Sequence, residues 1–151
     1  MSTPHSVESA VEFFSNSAGR VFHHPAGYVR LVWERTPVKD AHVKALYEAA
    51  IGALEQFGLT RILSDHRHMP PISAGLQRWL VDEWLPAAVQ RAGYRRVAVV
   101  QAFNLFNRLA TNNVVSNMGN IPVEVSYFDI DQEAERWLLS DEESTTPEPQ
   151  K

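Results

Sequence analysis

The stretch LTRILSDHRHMPPISAGLQRW, residues 59–79, decides the fold. Its first part, LTRILSD, reads as a short strand, and two prolines, Pro70 and Pro71, follow a charged turn. Proline holds its own φ near the helical value but pushes the residue before it into extended conformations, so no helix begins before the pair. Ser73 then stands where an N-cap belongs, and SAGLQRWLVDEWLPAAVQRAG (73–93) reads as one helix closed by Gly93. Pro86, inside that helix, removes one backbone hydrogen bond and is expected to kink it near Asp82.

The same alternation extends in both directions. Upstream, VEFFSN (11–16), GRVFHH (19–24) and YVRLVWER (28–35) read as strands, with Val29, Leu31 and Trp33 alternating against Tyr28, Arg30 and Val32, and Pro25-Ala26-Gly27 as a turn. Thr36-Pro37 fits an N-cap with proline at the first helical position. Val43, Leu46, Ala50, Ala53, Leu54 and Phe57 then recur at helical spacing as far as Gly58. Downstream, YRRVAVVQ (94–101) is a strand, NLFNRLATNNVVSN (104–117) a helix and IPVEVSYF (121–128) a strand. DQEAERWLL (131–139) closes the pattern as a helix capped by Asp129 or Asp131. The order predicts a single α/β domain over residues 1–140: a mixed, largely parallel sheet with an antiparallel N-terminal β-meander and helices packed on it. Residues 141–151, rich in Glu, Ser, Thr and Pro, are expected to form a disordered acidic tail.

Composition narrows the chemistry. A chain of 151 residues suits one domain, and with no cysteine it has no disulfide, thiolate nucleophile or zinc–thiolate site. Of the net charge of -4, residues 141–151 carry -3, which leaves about -1 for the rest. A protein that neutralises phosphates needs a basic face, and the only adjacent arginine pair, Arg95-Arg96, precedes a strand, so nucleic acid is not an expected partner. No apolar run approaches the roughly 20 residues of a membrane span, and the N-terminus has no basic segment leading into an apolar one. A cytoplasmic location is expected.

Several fragments, in order and spacing, resemble the uncharacterised STAS-like proteins of bacteria, relatives of the anti-sigma-factor antagonist domain. They are Asp65-x-Arg67, Met69, Ile72-Ser73, Gln77-x-Trp79, Glu83-Trp84-Leu85-Pro86, Gly93, Tyr127-Phe128 and Glu133-Ala134 followed by Trp137-Leu138. The resemblance spans roughly residues 11–139 and implies a STAS-like α/β domain acting as a non-enzymatic binding or regulatory module. STAS domains that regulate sigma factors carry a phosphorylatable serine immediately before a glycine at this helix start. Here Ala74 precedes Gly75 and Ser73 lies one position earlier, so the usual phosphoacceptor serine is missing.

The candidate site is the joint after the first parallel strand. Asp65 and Arg67 sit where ligands bind in open α/β sheets, close to Ser73 and the free N–H groups of a helix start. The competing expectation is a structural ion pair that ties the loop down. Asp65, Arg67, His68, Ser73, Trp79 and Trp84 are the candidate ligand- or partner-binding residues. At 100° per residue Trp79 and Trp84 stand roughly 140° apart on their helix, so one of them is expected to be partly exposed, whereas Trp137 is expected to anchor the core. Imidazole suits several transition metals, but His66 and His68 flank a cation, His23 and His24 point opposite ways on their strand, and no metal-ligand spacing is present, so no metal and no cofactor are expected. No Gly-x-Ser-x-Gly elbow or phosphate loop occurs, and the adjacent Asp65, His66 and Ser73 do not suit a triad, so no catalytic residue is assigned. The expected partner is a protein or an apolar small molecule, with a homodimer possible in principle. The alternative is a small-molecule or lipid carrier with a pocket between helices and sheet, and a third reading is an enzyme built on Asp65, His66 and Arg67.

Overall fold

A computed structural model describes residues 10–35 and 39–140. Six strands form one sheet in the order of the chain: β1 Val11–Asn16, β2 Gly19–His24, β3 Tyr28–Trp33, β4 Arg61–Asp65, β5 Arg96–Val100 and β6 Glu124–Phe128. The first three are antiparallel, and β3 to β6 are parallel. The meander and the parallel half are thus as the alternation predicts. Residues 141–151, expected to be a disordered tail, lie outside the described residues, as do residues 1–9.

Each crossover steps to the next position in the sheet and never reverses, so right-handed connections leave their helices on one face. On that face lie α1 (Asp40–Phe57), a broken helix made of α2 (Ala74–Trp79), a π-helical turn (Leu80–Trp84) and α3 (Leu85–Ala92), and α4 (Leu105–Ser116). Here Val21, Leu31, Leu46, Ile51, Leu54, Ile62, Leu80 and Trp84 form the main core. The last helix, α5 (Asp131–Leu139), follows β6 and crosses to the other face. It buries Ala134 and Leu138 against Tyr28, Leu63, Ala98 and Val100 in a second, smaller core.

Both faces of β3 to β5 are therefore covered, which overrides the simple alternation expected of β3. Tyr28, Val29, Arg30, Leu31 and Trp33 are all buried. The expected N-cap at Thr36 and proline at Pro37 lie outside the described residues; α1 begins at Asp40, and its N-cap residue, Lys39, makes no side-chain hydrogen bond. Gly58 and Gly93 end α1 and α3 in the left-handed region (φ 65° and 72°), where an L side chain would be strained. The cap of α5 differs from the expectation: Ile130 is the N-cap residue, without a side-chain bond, and Asp131 is the first helical residue. Its carboxylate is instead committed to Arg30, at 2.9 Å.

The kink expected near Asp82 takes the form of the π-helical turn. Pro86 has no N–H to return to the preceding turn, and the Leu85 N–H bonds to the Leu80 carbonyl, five residues back. This rewinds the helix surface. With five-residue hydrogen bonds, the step from Trp79 to Trp84 is little more than one turn, not the 140° offset of an unbroken α-helix, and both indoles contact Tyr47, at centroid distances of 6.2 and 4.9 Å.

Candidate functional site

The joint at residues 65–73 is held by charge. Asp65 ends β4 and is buried. Its Oδ1 accepts from the Arg67 backbone N–H (3.1 Å) and from Arg67 Nε (2.9 Å), and its Oδ2 accepts from Arg67 Nη2 (2.6 Å) and Arg30 Nη2 (3.0 Å). Arg30 continues to Asp131, making a chain of alternating charge from β4 through β3 to α5. Burial pushes the Asp65 carboxyl up, but the hydrogen bonds from the Arg67 side chain and backbone, with the charges of Arg67 and Arg30, outweigh it and hold the carboxyl below its usual range. This is the structural ion pair, enlarged by a second arginine that sequence spacing did not reveal. Because the strand order never reverses, the sheet also lacks the crevice that opens at a switch point, where ligands of open α/β folds sit.

The other candidate residues divide between several places. His68 is exposed; its Nδ1 lies 3.2 Å from Arg35 Nη2 and its ring packs edge-on against Phe103. Ser73 caps α2, accepting from the Leu76 N–H at 3.0 Å while donating to Asp40 Oδ2 at 2.9 Å, and so pins the start of α2 to the start of α1. Ser73→Ala is expected to cost on the order of 1 kcal/mol in chemical denaturation, the usual worth of such a cap. Trp84 is buried, with its indole N–H donating to the Tyr47 carbonyl at 2.7 Å, whereas Trp79 is half-buried with the Lys44 ammonium 5.4 Å from its ring. Trp137 is a partial anchor: it is half-buried, packs on Phe128 and carries the Arg96 guanidinium over its ring at 4.5 Å. Asp65 and Arg67 are thus paired directly, with His68 beside them, whereas Ser73 bonds to Asp40 and Trp79 and Trp84 pack on Tyr47.

The histidines scatter in the same way. His23 stacks on Phe57 of α1, and His24, pointing to the opposite face, stacks on Tyr28. His66 turns under the helices, and His68 turns to the surface. Among the described residues no three His, Asp or Glu side chains converge in a way that could hold a metal ion.

His66 belongs to a feature that the sequence concealed. An apolar cavity of about 80 Å³ lies between the sheet and the helices α1, α3 and α4 with the π-helical turn, with Leu31, Tyr47, Ile62, Trp84 and Val97 among its walls and Ser64, His66 and Thr111 as its polar side. Trp33 Nε1–H donates to Ser64 Oγ at 3.2 Å, and His66 Nε2, at 2.9 Å, is the one acceptor within reach of the Ser64 hydroxyl hydrogen among the described residues. The imidazole proton is thereby assigned to Nδ1, which faces Thr111 Oγ1 across 3.5 Å. Burial, opposed by the charge of Asp65, lowers His66 to about 4, so the ring is neutral near pH 7.

A serine donating to a histidine has the outline of an activated nucleophile, but three observations weigh against that chemistry. A base that titrates near 4 is poorly matched to proton abstraction near neutrality. The group facing Nδ1 is a hydroxyl and not a carboxylate, since Asp65 points to the other face of the strand. Ser64 lies inside β4, paired on both sides, so the surrounding backbone N–H groups serve the ladder and not an oxyanion hole.

Sequence reasoning missed an exposed apolar surface. Phe103, Leu105, Phe106 and Leu109 are exposed by 71, 63, 71 and 55%. Phe103 lies between the end of β5 and α4, and Leu105, Phe106 and Leu109 occupy the outer side of the first turns of α4. The patch is continuous with the joint: the Phe103 N–H donates to the Arg67 carbonyl at 3.1 Å, and the Phe103 ring meets His68. Apolar residues on the inner side of α4, at Ala110, Val114 and Val115, together with those on its outer side, were the available signal, because a helix that needs one apolar face and has two has something further to bury. No helix among the described residues is long and apolar enough to cross a membrane. In sequence comparisons no protein-family model matches the chain, and no curated protein matches it.

Proposed function

We propose that this chain is a non-enzymatic, STAS-like binding or regulatory module of the cytoplasm that docks a protein partner through Phe103, Leu105, Phe106 and Leu109. The observation that carries the reading is the clustering of four large apolar side chains, each more than half exposed, at one end of the sheet. Scattered exposed apolar residues are ordinary, but a contiguous set rimmed by polar groups marks an interaction surface. Arg67 and His68 supply such a rim, and the ion pairs of Asp65 hold it in place before a partner arrives, which reduces the ordering cost of association. The STAS-like assignment rests on the fragments from Asp65 to Trp137 and is compatible with the mixed sheet; with Ala74 at the acceptor position, regulation through that serine is not part of the proposal. The carrier alternative has less support, because about 80 Å³ is far below the ~300–1,000 Å³ of pockets for drug-sized ligands.

Phe106→Asp tests the reading. The side chain is 71% exposed, so the folded state should keep its stability within about 0.5 kcal/mol, as surface substitutions do. Affinity purification from the native host should show one stoichiometric protein retained by the wild type and lost from the variant. Retention of the same protein by both would refute the assignment of the patch, and a change from dimer to monomer in sedimentation would reassign it to self-association.

A further inference from the structure

The polar side of the cavity has unused hydrogen-bonding capacity, and its arrangement defines a ligand class. Among the described residues His66 Nδ1–H has Thr111 Oγ1 as its one partner, at the long limit of 3.5 Å. The Thr111 hydroxyl is itself a donor. An oxygen atom about 2.9 Å from each of them, a normal hydrogen-bond length, closes a triangle on that 3.5 Å base. Buried polar groups in native proteins normally have well-formed hydrogen bonds, so this one long contact leaves capacity for an occupant.

We infer that this cavity is a binding site for a small neutral carbonyl compound with an apolar body, its oxygen accepting from both His66 Nδ1–H and the Thr111 hydroxyl. A carbonyl oxygen has two lone pairs and so suits two converging donors. The remaining walls are hydrocarbon and aromatic, which favours an uncharged body, and about 80 Å³ limits it to a few heavy atoms: a cavity near 150 Å³ holds benzene. A carboxylate is disfavoured, because its charge would be desolvated with only neutral donors to receive it. The wall can yield. Met69 and Met118 are unbranched and adaptable, and the π-helical turn contributes Leu80 and Trp84 to the lining. This site is separate from the proposed docking patch, and neither reading depends on the other.

The test uses 2-butanone and its isostere 2-methyl-1-butene, in which a methylene replaces the oxygen. Titrated into the full chain and followed by NMR, the ketone should give saturable shifts at Thr111, Val114, Val99 and the His66 ring, with an affinity at least about tenfold above that of the alkene. That ratio is what one or two added hydrogen bonds provide. In Thr111→Val, which keeps the shape and removes one donor, the preference should fall by several-fold while alkene binding persists. The inference is overturned if the ketone produces no saturable shift in the wild type, as it would if ordered water alone satisfies the site. Equal binding of ketone and alkene, or an unchanged preference in Thr111→Val, would overturn it as well.

Discussion

Asp65→Ala is expected to destabilise the fold by about 3–5 kcal/mol, the range for breaking a buried ion pair by removing one partner. The variant leaves Arg30, whose side chain is only 3% exposed, with Asp131 alone, and leaves the Arg67 backbone N–H without its acceptor. Urea titration measures the loss. The same carboxyl gives a pH signature, since its folded-state pKa lies below the unfolded one. Its stabilisation is complete above the ordinary carboxylate pKa and disappears as the pH falls through the folded value. A loss under about 1 kcal/mol, within the range of exposed pairs, would mean that the charge chain from β4 to α5 is solvated in practice.

His66 should impose the second large effect, at milder acidity. Its folded pKa is near 4 against an ordinary 6.5, so the unfolded chain binds a proton that the folded chain refuses. Stability is therefore full above about pH 6.5 and declines on acidification toward pH 4, by on the order of 3 kcal/mol over that window. Replacement by a residue that does not titrate should flatten the slope. His66→Phe keeps a ring in the space, and the difference between its stability–pH curve and that of the wild type isolates this one group. If the two curves run parallel between pH 4 and 6.5, the imidazole is more hydrated than its place beneath the helices implies.

How much of this could be read beforehand follows from the range of the forces involved. The alternation of strands and helices was legible because it is written in local periodicity and in Pro and Gly positions, and the Ser73 cap and the Asp65–Arg67 pair lie within three residues of their main partners. Arg30 was not legible as the second cation on Asp65, because 35 residues separate them and the pairing exists only through the parallel register of β3 and β4. Pro86 announced a disturbance, but whether the helix would kink or widen depended on the packing of Trp84 against Tyr47. The cavity is a property of the sheet and helices together, and no single segment encodes it. The docking patch could have been suspected from NLFNRL, where Leu105, Phe106 and Leu109 add a second apolar side to a helix that already had one. Such a helix also reads as buried all round, so the pattern by itself does not mark an exposed surface.

The central claim is that the outer side of α4 is a protein-docking surface, and photocrosslinking from within it is the most direct test. A photoreactive benzoyl-phenylalanine replaces Phe106 in the full chain, with the same group in place of the exposed Glu133 on the opposite face as the control. Irradiated in cells of the native host, the Phe106 position should yield a single discrete adduct with one other protein, reduced by co-expression of the unlabelled chain and absent from the Glu133 position. The same set of adducts from both positions, or adducts only with a second copy of the chain, would contradict the account.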